Sequence, residues 1–258
     1  MTPDSTPDPL PKGLEKALEG VVPLERVWFF KETGSTNALA KNMVARGAPD
    51  RTLLVTDFQT RGRGRLDRTW ESPPGANLMF SLIQRPDLEL TQAFSLTLAA
   101  ALSMARAVER LTGLEPLLKW PNDIFLDGRK LAGVLTELKA EKSRVAWAVV
   151  GVGLNVSAHP PGLKAIDLAA RLGRAVDRFA LLAEFLVEMD RRAGALPEEL
   201  RREWTELSYT LGRRVTVDDQ GRRVTGKAVS LEPDGALVIE TGKGLERVRC
   251  GDLVVEGG

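Results

Sequence analysis

Apolar and polar positions along the chain fall into two regimes. Up to about residue 211, short β-branched or aromatic runs alternate with helical periodicities. Val27 to Phe30, Thr52 to Phe58 and Asn77 to Gln84 predict strands, because such residues suit a pleated, half-buried surface. Leu14 to Leu18 predict a short helix, and a second helix follows Ser35 or Thr36, either of which is placed to cap it. Gln92 to Leu111 is apolar on much of its helical surface and reads as a core helix. Asp127-Gly128 lies between two apolar runs and predicts a hairpin turn, with Lys119 to Asp123 at the start of one strand and Lys130 at the start of its return. Val145 to Val156 is a buried strand with glycines inside it, and Phe179 to Leu207 gives one or two amphipathic helices, broken near Gly194 and Pro197.

From Gly212 the pattern changes to short alternating strands at 214–217, 224–231, 236–240 and 245–249, punctuated by Asp219-Gln-Gly221 and Asp234-Gly235. That is a small β-barrel of SH3-like size. Three units follow: a tail and short helix over 1–22, a large domain over 23–211 and the small domain over 212–258. The tail, Met1 to Pro11, is rich in Pro, Asp and Thr and reads as disordered.

Composition excludes several classes of chemistry. The 258 residues contain 36 Lys plus Arg and 35 Asp plus Glu, a net charge of +1, so the chain lacks the overall basicity of a duplex-DNA binder. One cysteine, Cys250, permits no internal disulfide and fits a reducing compartment. One histidine, His159, is too few for the usual zinc sets, and a His159–Cys250 nucleophilic pair has no supporting motif. No apolar run approaches the ~20 residues of a membrane helix. The expected location is the cytoplasm.

The basic character is concentrated in Gln59-Thr-Arg-Gly-Arg-Gly-Arg-Leu-Asp-Arg-Thr-Trp70. Arg61, Arg63, Arg65 and Arg68 face the single acid Asp67, with Gly62 and Gly64 between them. Glycines permit positive φ and close approach to a ligand, guanidinium forks match phosphate and carboxylate oxygens, and Trp70 offers a flat face for a base. The alternative is a solvated basic loop, or an Arg-Gly segment that touches RNA. A second stretch, Lys119-Trp-Pro-Asn-Asp123, gathers a lysine, an amide and a carboxylate near Lys130, and Asn122 and Asp123 offer oxygens of the kind Mg²⁺ takes beside phosphates. Gly151 and Gly153 clear space where a ligand or another backbone passes. Gly-x-Gly there is half of a dinucleotide fingerprint, without its third glycine or following helix.

Four blocks, Gly34-Ser-Thr-Asn37, Gln59 through Trp70, Lys119 to Asp123 with Lys130-Leu-Ala-Gly133, and Gly151-Val-Gly-Leu-Asn155, together resemble biotin–protein ligases from about Val27 to the C-terminus. The resemblance implies an α+β fold, a class II synthetase-like catalytic domain with a mixed sheet and flanking helices plus a C-terminal SH3-like barrel. It implies joining of biotin to ATP as biotinyl-5′-AMP, then transfer to a lysine of a biotin carboxyl carrier domain. It assigns Ser35, Thr36, Asn37, Gln59, Gly62, Arg63, Arg65, Lys130, Gly133, Leu135 and Gly151 to biotin. Arg65, Arg68, Trp70, Asn122, Lys130 and Asn155 go to ATP, Asn122 and Asp123 to Mg²⁺, and Lys130, Arg65 and Asp123 to catalysis. Arg61 and Asp67 depart from the commonest spelling of the loop. Fewer than thirty residues precede the first strand, too few for the operator-binding module of some members. The expectation is therefore a monofunctional ligase without operator DNA, with a homodimer expected at family level. A lipoate–protein ligase and a nucleic-acid-binding module are the rival readings.

Overall fold

A computed structural model of the chain describes residues 6–219 and 221–256. Up to residue 206 the elements are α1 (Lys12–Leu18), β1 (Val27–Phe30), α2 (Thr36–Ala45), β2 (Leu53–Thr56), β3 (Leu78–Gln84), α3 (Phe94–Thr112), β4 (Leu117–Lys119), β5 (Asp123–Leu126), β6 (Arg129–Glu141), β7 (Arg144–Leu154), α4 (Leu168–Leu172), α5 (Arg178–Arg191) and α6 (Pro197–Glu206). The seven strands run in the order β1-β2-β3-β7-β6-β5-β4, with β1 and β2 parallel and the other neighbours antiparallel. This is the mixed sheet with flanking helices that the family resemblance implies. A five-stranded antiparallel sheet follows, made of β8 (Arg214–Asp219), β9 (Arg222–Leu231), β10 (Leu237–Thr241), β11 (Gly244–Val248) and β12 (Asp252–Val255).

The two faces of the large sheet differ. Phe80, Val152 and Val134 lie in one cross-strand row and belong to the main core beneath α3 and α5. There Phe80 meets Phe185 edge-on, with ring centroids 4.9 Å apart, a favoured aromatic geometry. On the other face Ile83 and Val149 pack with Ala40 and Val44 of α2. The next rows on that face are Ser81–Gly151–Leu135 and Met79–Gly153–Gly133. Helix α2 therefore covers the apolar part of this face, and the glycine rows open beyond its N-terminal end.

Local chemistry explains most boundaries. Asp127 and Gly128 both have positive φ, as a two-residue hairpin between β5 and β6 requires. The Asp167 carboxylate caps α4 at Ala170 N–H, and Asp177 caps α5 at Phe179 and Ala180 N–H. Pro197 opens α6, and Gly113 closes α3 in the left-handed region.

Several expectations need correction. Lys119 to Asp123 is not one strand start: β4 ends at Lys119, a turn holds Trp120 to Asn122, and Asp123 begins β5 opposite Lys119. Strands β6 and β12 and helix α4 have extents the sequence reading did not anticipate. Of the tail read as disordered, residues 1–5 lie outside the described residues. Asp8, in contrast, bridges to β1 through its N–H to Phe29 O, 2.8 Å, while its carboxylate accepts Lys31 N–H at 2.8 Å.

The small sheet is seated firmly. Leu118 of β4 exchanges backbone bonds with the segment after α6 that leads into that sheet, Leu118 N–H to Leu207 O and Tyr209 N–H to Leu118 O, both 2.8 Å. Trp120 is buried, and its indole N–H reaches Gly235 O at 2.9 Å, tying the turn before β5 to the small sheet.

Candidate active site

The glycine rows form the floor of a cavity of about 650 Å³. Its roof is the arginine segment, its far wall the turn after β4, and its rim the loop at 160–165 and strand β12. Each side of this enclosure can be traced to a local cause.

The arginine segment is a hairpin. Trp70 N–H bonds to Gly62 O at 3.1 Å, Gly64 N–H to Arg68 O at 2.7 Å, and Arg63 bridges Thr69. The left-handed residues are Leu66 and Asp67 at its tip, not Gly62 or Gly64, which corrects the expected use of the glycines. A Cβ on Gly62 would lie 2.3 Å from Trp70 O, so that glycine admits the hairpin's own return strand. Gly62 does not line the cavity; the other proposed site residues all do. At its base the hairpin is bonded to the start of α2 by Arg61 N–H to Gly34 O, 2.8 Å, and Thr60 N–H to Thr33 O, 2.9 Å.

The polar end is a linked set. Ser35 occupies the N-cap of α2 but makes no capping bond; instead Gln59 Oε1 accepts Thr36 N–H at 2.8 Å and lies 3.1 Å from the Thr36 hydroxyl. Fixing that oxygen leaves the Gln59 amide hydrogens for a ligand, apart from a long contact to Met79 Sδ at 3.6 Å. Ser81, fully buried, donates to Asn37 Oδ1 at 2.6 Å and sits 2.8 Å from Thr36 Oγ1. Asn37 spends both amide hydrogens on Leu135 O, 3.1 Å, and Glu137 Oε2, 3.0 Å. Its polar atoms are thus engaged within the protein, and it orders the pocket floor. Gly151 has its reason here, since a Cβ would come 2.0 Å from Asn37 Oδ1. A Cβ on Gly153 would fall 2.4 Å from the Trp70 indole. The missing side chains at these two glycines make room for Asn37 and Trp70, while both glycines still line the cavity.

The cationic end lies beyond. Lys130 Nζ is 2.6 Å from Asp123 Oδ1 and 5.9 Å from the centre of the Trp70 ring. Arg65 donates to Asn122 Oδ1 at 3.3 Å, and Arg68 pairs with Asp252 of β12. Burial lowers the pKa of Arg65, opposed mainly by the charge of Asp123. Burial likewise lowers that of Lys119, with Asp123 opposing and Lys130 adding to the shift. Six cationic side chains line the cavity against three acids, Glu71, Asp123 and Asp252. Partly desolvated, under-neutralised cations of this kind favour an anionic ligand. Among the described residues that line the cavity, two polar atoms are buried without partners, Trp70 Nε1 and Asn155 Oδ1, although Asn155 Nδ2 donates to Ile166 O at 3.2 Å.

Sequence reasoning passed over Ser81, Glu137, Phe125 and Asp252. Ser81 is a lone hydroxyl inside an apolar strand, and Glu137 a lone acid among Val134, Leu135, Thr136 and Leu138; each was a detectable signal. Burial works to raise the Glu137 pKa, but hydrogen bonds from Lys41 and Asn37 with the charges of Lys41 and Arg63 outweigh it and hold it low.

Fold and site together define an α+β enzyme pocket with a neutral polar end and a cationic end. The Biotin/lipoate A/B protein ligase family model matches residues 29–155, and the Biotin protein ligase C terminal domain model matches 210–254. The chain is similar to the Biotin--[acetyl-CoA-carboxylase] ligase of Mycobacterium tuberculosis, 34% identical over 86% of this chain and 86% of that protein. It is also similar to the Bifunctional ligase/repressor BirA of Bacillus subtilis, 32% identical over 85% of this chain and 70% of that protein. The solved biotin protein ligase from Aquifex aeolicus in complex with biotin and ATP superposes with a TM-score of 0.75 at 29% identity, covering 89% and 98% of the two chains. The chain belongs to the biotin protein ligase family.

Proposed function

We propose that this chain activates biotin with ATP to biotinyl-5′-AMP and passes the biotinyl group to one lysine of a biotin carboxyl carrier domain. The observation that carries this reading is the juxtaposition, in one cavity, of the Gln59–Thr36 polar end and the Lys130–Asp123–Arg65 cationic end. Biotin's ureido ring is neutral and polar and suits the amide of Gln59 and the hydroxyls of Ser35 and Thr36. Leu135 supplies apolar wall for its chain.

The biotin carboxylate then lies toward Lys130. One carboxylate oxygen attacks the α-phosphorus of ATP, the bond to pyrophosphate breaks, and a mixed anhydride remains. Bringing two anions together is opposed by their repulsion, which grows as water is excluded. Lys130 and Arg65 offset that repulsion and stabilise the charge developing at phosphorus. Arg68 exchanges Asp252 for phosphate oxygens. Trp70 and Asn155, both in the cavity wall, meet the nucleotide. In the second step the carrier's amine attacks the acyl carbon, AMP leaves, and Asp123 orients the incoming nitrogen.

Mg²⁺ belongs to this reading in a limited form. One oxygen of Asp123 is held by Lys130 and Asn122 Oδ1 by Arg65, and among the described residues no group of three or more His, Cys, Asp or Glu could hold a metal. These donors fit an ion carried mainly by nucleotide phosphates and water, with the remaining oxygen of Asp123 and Asn122 beside it. Such an ion would supply charge neutralisation at the phosphates.

No helix among the described residues is long and apolar enough to cross a membrane. We assign the chain to the cytoplasm, a reading supported by its single cysteine. Operator DNA is not a partner in this reading, which the near-zero net charge supports.

The test is transfer. Purified protein, Mg²⁺–ATP and a carrier domain lacking its modification are incubated with biotin or with lipoate, and the carrier mass is measured. Addition of a biotinyl mass that requires ATP supports the proposal. Addition of a lipoyl mass alone moves the chain to lipoate ligation, and no addition with either overturns the proposal.

A further inference from the structure

Glu137 lies outside the cavity wall, two residues beyond Leu135 on the same face of β6. Three polar groups from two other segments converge on it. Oε1 is 2.6 Å from Lys41 Nζ of α2 and 3.2 Å from Arg63 Nη1 of the arginine hairpin, and Oε2 accepts Asn37 Nδ2 at 3.0 Å. Its side chain is 20% exposed, whereas that of Arg63 is 44% exposed.

The hairpin's backbone bonds define its own shape, but they do not define how far it is lowered onto the sheet. That seat depends on contacts to other segments: Arg61 and Thr60 at its base, Arg65 to Asn122, Arg68 to Asp252, and Arg63 to Glu137. Arg65 and Arg68 are the groups that must reorganise when phosphates arrive. The Arg63–Glu137 pair stands at the other end, over the polar part of the pocket, and involves a carboxylate that nothing in the proposed reaction uses. We infer that Glu137 is a positioning residue, a carboxylate latch that seats the arginine hairpin over the biotin end while the same side chain orients Asn37 in the floor. The inference rests on the ligase reading of this site.

The latch has a functional consequence. A hairpin seated before ligand arrives spends less ordering entropy when biotin binds. Removing the latch should therefore weaken biotin binding more than it slows the chemical step, because Lys130, Asp123 and Arg65 are untouched.

The test compares the parent protein with Glu137→Gln, which preserves side-chain shape and an acceptor for Asn37 but removes the charge. Amide hydrogen exchange is read at Thr60 and Arg61 in the hairpin base and at Val150 and Val152 in β7, without ligand. The expected result is exchange faster by about tenfold at Thr60 and Arg61 and unchanged in β7, a selective opening of one segment. In biotin-dependent adenylation, half-saturation should move to higher biotin by a similar factor with the maximal rate kept. Unchanged exchange at Thr60 and Arg61 overturns the latch, as does a lower maximal rate with unchanged half-saturation.

If Glu137→Gln loosens β7 as well, Lys41→Met decides. It removes the helix cation and leaves the Arg63 pair. Retained protection at Thr60 and Arg61 supports a latch to the hairpin, and loss equal to that in Glu137→Gln overturns it in favour of a role in holding α2. The exchange readout needs no activity, so a parent protein inactive with biotin would sink the ligase reading and still leave the latch judged.

Discussion

Lys130 sits 2.6 Å from Asp123 and within 6 Å of the Trp70 ring, where a carboxylate and a phosphate would have to meet. Lys130→Ala removes the charge that the proposed reaction assigns to this position and leaves the core packing alone, since its side chain is about one third exposed. We expect adenylate formation to fall by about 10²–10³-fold with the thermal midpoint nearly kept. Near-normal turnover in that variant would remove Lys130 from the mechanism. Arg65→Ala makes a different prediction, because Arg65 joins the roof to Asn122 across the cavity. The anhydride should escape sooner, read as a shorter retention of biotinyl-5′-AMP on the protein after desalting; retention equal to the parent's contradicts that role. These residues were legible because glycine, arginine and lysine occur there in short blocks whose chemistry is local. Glu137 was not, since its partners Arg63, Lys41 and Asn37 are 74, 96 and 100 residues away and no short spacing joins them. The N-cap place of Ser35 was legible, but the capping bond expected there is not made by Ser35, because Gln59, from another segment, accepts the Thr36 N–H.

Among the elements, the glycine rows of β6 and β7 matter most for the site. Gly151→Ala would place a methyl 2.0 Å from Asn37 Oδ1, at the centre of a buried polar set. Either Asn37 leaves its bonds to Ser81, Leu135 and Glu137, or the strand shifts. We expect a loss of about 1–3 kcal/mol in stability together with weaker biotin binding, measured by denaturant unfolding and calorimetric titration. Unchanged values in both would show that the floor is not as tightly determined as its geometry indicates. Strands β1, β3 and β7 and helices α2, α3, α5 and α6 could be placed from periodicity, since each carries an apolar face or run long enough to register. Strands β4 and β12 and helix α4 are three to five residues long. Pairing with neighbours and a cap at Asp167 hold them, and neither leaves a periodic trace. The hairpin at Gly62 to Trp70 was not legible as a hairpin because alternating Arg and Gly obscures strand pattern, while its register depends on backbone bonds.

For the molecule as a whole, the cavity depends on how the small sheet is seated, because β12 forms part of its rim. Trp120 is the link: buried, it donates its indole N–H to Gly235 O and its backbone N–H to Thr210 Oγ1. Trp120→Phe keeps most of the apolar volume and leaves the Gly235 carbonyl without that donor, a loss of about 1–3 kcal/mol. We expect a lower unfolding midpoint and weaker ATP binding, with biotin binding retained at the far end of the pocket. A variant that lost biotin and ATP binding equally would contradict this division. The change of period near residue 211 falls between the seven-stranded and the five-stranded sheets, but the contact between the two sheets was not legible. It runs through Trp120 and Gly235, 115 residues apart.

The most direct measurement of the central claim is ATP–pyrophosphate exchange by the purified protein with Mg²⁺, run with biotin, with lipoate and with neither. The account expects exchange that requires biotin and is absent in the other two reactions. Exchange supported by lipoate alone, or none with biotin despite tight biotin binding, would contradict it.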